Sequence, residues 1–123
     1  KENINDSCLG IGIDISLKEL YIANLKNNSN IQLIQADIDF PPFKNKIFDK
    51  IFLFTVLHHY KTSITRIKKL CNYTRNVLGI SLLKRNLNIP SFNKLISSFK
   101  PDIIDEPQLV DIIILIKINH CKL

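Results

Sequence analysis

Gly10-Ile11-Gly12-Ile13-Asp14-Ile15-Ser16 closes an apolar run in a carboxylate and then opens a helix. That order belongs to α/β sheets, whose strand tips carry the polar groups that meet a nucleotide. Ser16 with Glu19 three residues later is a capping box. Leu17, Leu20, Tyr21 and Leu25 then fall on one helical face. The design returns at Ile31-Gln32-Leu33-Ile34-Gln35-Ala36-Asp37, an apolar strand again tipped by Asp. Two acid-tipped strands with a helix between them predict a binding edge.

The remaining elements follow in alternation. Residues 8–15 and 47–57 read as strands apolar on both sides, which predicts burial on both faces. Pro41-Pro42 forces a loop between them. Ser63 caps a helix with Ile64, Ile67, Leu70 and Cys71 on one face, ending near Arg75. A strand at 77–83 follows, in which Gly79 admits a close neighbour. Pro90 suits the first turn of a helix bearing Phe92, Leu95, Ile96 and Phe99. Strands at 102–105 and 109–118 are joined by Glu106-Pro107-Gln108, too short for a parallel return, so they must be antiparallel. The order predicts an α/β fold: a mostly parallel sheet with a C-terminal antiparallel hairpin and helices on both faces.

Composition narrows the function classes. An apolar content of 46% over 123 residues fits one globular domain. No apolar run is long enough to span a bilayer. Cys8, Cys71 and Cys121 are odd in number and widely spaced, with no Cys/His ligand cluster, so no metal is expected and a reducing, cytoplasmic compartment is. The net charge of +6 invites a nucleic-acid partner. Composition offers a plainer source, because 22 Ile, 14 Lys and 13 Asn are what AT-rich codons produce. The cations pair only locally, at Lys68-Lys69 and Lys84-Arg85, and no aromatic stripe is interleaved with them.

Four motifs in order resemble the Rossmann-like class I methyltransferases that use S-adenosylmethionine, and especially the group with a His-His element after the fourth strand. Gly12-Ile13-Asp14-Ile15-Ser16 is similar to that family's second-strand tip, and Ala36-Asp37-Ile38 to its third. Pro42-Phe43 with Phe48-Asp49-Lys50-Ile51 resembles the lead-in to its fourth strand, and Val56-Leu57-His58-His59 the end of that strand. The resemblance implies that Asp14, with Ile15, accepts from the cofactor ribose. It implies that Asp37 and the Ile38 amide meet the adenine, and that Leu53 and Phe54 line the cofactor. For Asp14 the alternative is an acid favoured by the helix dipole. For Asp37 it is an Asx turn ahead of Asp39, itself a lesser candidate in the same loop. For Leu53 and Phe54 it is ordinary core.

His58 and His59 are the weak candidates for a catalytic base, with Tyr60 similar. His120 in the tail is expected to be inert, and Asp49 to cap or pair locally at the start of its strand. The absence of Asn-Pro-Pro-Tyr counts against enzymes that methylate planar amino groups, and no Cys is placed to attack a pyrimidine.

Two departures from the resemblance matter. The family's central first strand and its glycine-rich loop are missing, and Gly10-x-Gly12, inside a strand, does not replace them. Asn76-Val77-Leu78 stands where Pro-Gly-Gly is usual. The chain also does not begin with Met. The expectation is therefore a single N-terminally truncated methyltransferase domain over residues 1–123, completed by an upstream segment or a partner chain. Its methyl acceptor would be an RNA, a protein or a small molecule. The alternatives are a catalytically inactive methyltransferase-like partner subunit and half of an NAD-type oxidoreductase.

Overall fold

The computed structural model describes residues 9–26, 30–54 and 64–120. They belong to two compact units, Lys1–Pro42 and Phe43–Leu123.

The first unit holds β1 (Gly10–Asp14), α1 (Leu17–Leu25) and β2 (Ile31–Gln35). The strands pair in parallel from Gly10↔Ile31 to Asp14↔Gln35, which the α1 crossover makes possible. Ser16 is the N-cap of α1, and its Oγ accepts from the Glu19 amide at 3.3 Å. The reciprocal arm of the box differs from expectation. The Ser16 amide donates to Asp14 Oδ1 at 2.7 Å, so the strand-tip acid supplies the second cap. Of the expected apolar face of α1 only Leu20 is buried; Leu17, Tyr21 and Leu25 are exposed. A two-stranded sheet offers one helix little apolar area to cover.

The second unit holds β3 (Phe48–Leu53), α2 (Ile64–Tyr73), β4 (Thr74–Leu83), α3 (Ile89–Phe99), β5 (Asp102–Ile104) and β6 (Asp111–Lys117). The strand order is β3-β4-β6-β5. β3 and β4 are parallel, whereas β6 runs antiparallel to both β4 and β5. The antiparallel hairpin is as expected, and β6 inserts between β4 and β5.

Both crossovers, β3-α2-β4 and β4-α3-β5, advance across the sheet in the same direction. Right-handed connections therefore put α2 and α3 on one face. Burial follows that asymmetry. Leu78, Ile80 and Leu82 of β4 pair with Ile116, Ile114 and Ile112 of β6, and all six are buried, together with Ile67, Leu70, Cys71, Leu95 and Phe99 of the helices. On the opposite face Phe52 is half exposed. This corrects the expectation that β3 is buried on both faces: within this unit the two helices cover only one. The part of that strand expected at 55–57 lies outside the described residues.

α2 passes directly into β4, with no glycine to end the helix. Its last carbonyls are satisfied from elsewhere. Lys46, in the left-handed region at φ 54°, donates its amide to Asn72 O at 2.8 Å. Its Nζ donates to Cys71 O at 3.0 Å and to Thr74 O at 2.9 Å. Thr74 Oγ1 donates back to Leu70 O at 2.9 Å. One lysine thus does the work that a C-terminal glycine motif does in other helices. Asn88 caps α3, accepting from the Ser91 amide at 3.0 Å, with Pro90 in the first turn.

Candidate functional site

The two acid-tipped strands end side by side. Asp14 closes β1 and pairs in register with Gln35, and the Ala36 amide donates to Asp14 O at 3.0 Å, carrying the pairing one step past β2. Asp37 follows one residue later. Asp14, Ile15, Asp37 and Ile38 therefore share the C-terminal end of one parallel pair, where ligands of α/β sheets bind. Asp14 and Ile15 are exposed, and Asp37 and Ile38 are half-buried.

Both acids are held in the same way. Asp14 Oδ1 accepts from the amide two residues on, that of Ser16, and Asp37 Oδ1 accepts from that of Asp39 at 2.8 Å. The Asx turn considered for Asp37 is therefore present, and the Asp37 carbonyl also closes a turn with the Phe40 amide at 3.0 Å. Each turn engages one carboxylate oxygen and fixes the side-chain direction. The second oxygen of each remains able to accept. Gln35, which the sequence did not single out, ties the two tips together: its Nε2 donates to Ile15 O at 3.0 Å. The one available signal was its place at the strand's end, since Gln32 puts the same side chain inside the strand.

Gly10 and Gly12 lie inside β1, as expected. A Cβ on Gly12 would stand 2.8 Å from Leu33 Cδ2, so this glycine serves the packing of β1 on β2.

Leu53 and Phe54 belong to the second unit, at the C-terminal end of β3. The Leu53 side chain is core. Phe54 is exposed and stacks on Phe52, with ring centroids 5.7 Å apart and planes 5° from parallel. Phe52 lies over Gly79, its partner in register, and a Cβ on Gly79 would come within 2.5 Å of that ring. The close approach expected at Gly79 is thus to an aromatic ring. Asp49 pairs with Arg75 at 3.5 Å, both exposed. Cys71 is buried and forms no disulfide. His58, His59, Tyr60, Ser63, Cys8 and Cys121 lie outside the described residues. No helix among the described residues is long and apolar enough to cross a membrane.

Residues 5–85 match a family model described as a methyltransferase domain. An uncharacterized protein of Methanocaldococcus jannaschii is 31% identical over 100 aligned positions that cover 73% of this chain, and the chain spans 39% of that relative's length. Two solved structures share the fold. A SAM dependent methyltransferase from Aquifex aeolicus has a TM-score of 0.67 at 12% identity, over 88% of this chain and 68% of its own. Magnesium protoporphyrin IX methyltransferase from Synechocystis PCC 6803, solved with bound SAM, also gives 0.67, at 19% identity over 89% of this chain and 59% of its own.

Proposed function

The chain belongs to the methyltransferase domain family, and we propose that it forms part of an S-adenosylmethionine-dependent methyltransferase. The observation that carries the reading is Asp14: an exposed carboxylate at a parallel strand tip, one oxygen held by the Ser16 amide and the other able to accept. A ribose presents two adjacent hydroxyl donors, which suit an acceptor-only group.

In this reading Asp14 and the Ile15 backbone hold the ribose. Asp37, steadied by its Asx turn, accepts from the adenine amino group, and Ile38 meets the ring. Bound there, the cofactor supplies a methyl carbon already activated by sulfonium charge, so the protein's task is mainly to orient acceptor and donor. His58 or His59 takes the acceptor's proton. The open edges of β1 and β3, each paired on one side among the described residues, take further backbone from a preceding segment or another chain.

Asp14→Asn tests the reading, because the amide oxygen still accepts from Ser16 and the turn survives. We expect calorimetric binding of S-adenosylhomocysteine to weaken by about 10- to 100-fold, the ~1.5–3 kcal/mol of a charged hydrogen bond, with the unfolding midpoint unchanged. Equal binding by both proteins overturns the role of Asp14. Stabilisation by NAD but not by S-adenosylhomocysteine overturns the cofactor. Binding of neither leaves the inactive partner subunit as the better reading.

A further inference from the structure

The positive charge of this chain is patterned by where the carboxylates are missing. Residues 1–42 carry three Lys and Arg against six Asp and Glu, whereas residues 43–123 carry fourteen against five. Residues 50–101 hold ten Lys and Arg and no Asp or Glu at all. Codon drift that enriches Lys, Ile and Asn raises cations everywhere. It gives no reason for one continuous stretch of 52 residues to carry no acid while the rest of the chain carries all eleven.

Two helices of that stretch, α2 and α3, put part of it on one face. α2 and α3 lie on one face of the second unit's sheet, and each buries its apolar side: Ile67, Leu70 and Cys71 on α2, Leu95 and Phe99 on α3. Their exposed positions are Thr65 and Lys68 on α2, and on α3 Ile89 and Pro90 at its start, then Ser91, Asn93, Lys94, Ser97 and Ser98. Neither helix contains an acid. The acids of this unit stand elsewhere and already have partners there, Lys84 with Asp105 at 2.7 Å, Lys117 with Asp102 at 3.4 Å, and Arg75 with Asp49. Lys68, Lys94 and Lys100 take part in no ion pair among the described residues.

Lys100 adds an independent observation. It ends α3 in the left-handed conformation, φ 44° and ψ 55°. Glycine holds that conformation at lower cost. Lys100 is exposed there, at the C-terminal end of α3.

We propose that the outer layer formed by α2, α3 and Lys100 is a docking surface for RNA. Cations interleaved with hydroxyl and amide side chains, and free of carboxylates, match a phosphate backbone. The two helices lie broadside, with one flank buried, so neither projects as a groove-reading helix of a duplex-DNA binder does. A broad face suits an RNA helix, whose wide, shallow minor groove presents phosphates and 2′-hydroxyls together. As the contact for a methyl acceptor, the surface rests on the methyltransferase reading. As an RNA-binding surface it stands without it.

The test is binding of the chain to a fluorescent RNA hairpin across a salt series, without cofactor. Lys68→Gln with Lys94→Gln should weaken binding at least tenfold and lower the salt slope by about 2. The charge-matched pair Lys18→Gln with Lys26→Gln, on and after α1, should stay within about twofold. Lys100→Gly should raise the unfolding midpoint yet weaken RNA binding, a combination that a purely structural lysine does not produce. S-adenosylhomocysteine binding should be unchanged in all three, which separates this proposal from the cofactor reading. Equal losses in the two paired variants would reduce the effect to net charge and overturn the surface. Equal affinity for duplex DNA of the same length, or preferential binding to phosphatidylserine vesicles, would overturn RNA as the occupant.

Discussion

The two units divide between them what a binding domain needs. In residues 9–42 the only buried side chain among the described residues is Leu20, yet this unit carries Asp14 and Asp37, each oriented by an Asx turn. Among the described residues of the Phe43–Leu123 unit the alternating strands and two helices bury twelve apolar side chains, while its candidate cofactor contacts are a core leucine and an exposed phenylalanine. The candidate binding acids and most of the buried core are thus carried by different stretches. Polar strand tips must stay accessible, and each such tip removes apolar area from the core that would hold it.

The contrast predicts where the molecule breaks. Ile114→Ala, at a fully buried position of β6, should cost about 3–5 kcal/mol through lost burial and the cavity left behind. Leu20→Ala should cost about 1 kcal/mol, because a lone buried residue has little around it to leave empty. Urea unfolding followed by circular dichroism measures both, and similar costs would contradict the division.

Lys46 comes next in size. Lys46→Ala removes the Nζ bonds to two carbonyls and should cost about 1–2 kcal/mol. Lys46→Gly loses the same bonds but relieves the left-handed backbone, so it should lie about 1 kcal/mol above the alanine variant. Identical midpoints for the two would mean that φ 54° carries no strain.

The smallest effects sharpen the comparison most. Ser16→Ala and Asn88→Ala each remove one N-cap and should cost about 1 kcal/mol of helix stability. Because α3 packs into the core, the Asn88 variant should lower the global unfolding midpoint. The Ser16 variant should show instead as faster amide exchange confined to α1. Its loss also unseats the amide that holds Asp14, so cofactor affinity should fall with it.

Much of this was legible in the residues. The caps at Ser16 and in the first turn of α3, the parallel β-α-β order, the antiparallel final hairpin and the close approach at Gly79 all follow from local rules: which residues cap, how short a link can be, where a Cβ cannot fit. The acid-tipped strands and their family resemblance are local too, since a strand tip is named by its own neighbours. Other features join residues far apart in the chain. Periodicity in the strand at 47–57 could not say that the helices of its unit would leave Phe52 uncovered. Nothing near Lys46 marks it as the cap of a helix that ends 27 residues later at Tyr73, nor Gln35 as the tie to Ile15. Insertion of β6 between β4 and β5 depends on which edge is free once the crossovers have formed. Sequence alone determined the elements and the two acids at their tips, because those depend on backbone and side-chain preferences over a few residues. Only the tertiary structure decided which face is covered, which distant group satisfies a helix end, and where an acid-free stretch becomes one surface, because those depend on what packing leaves exposed.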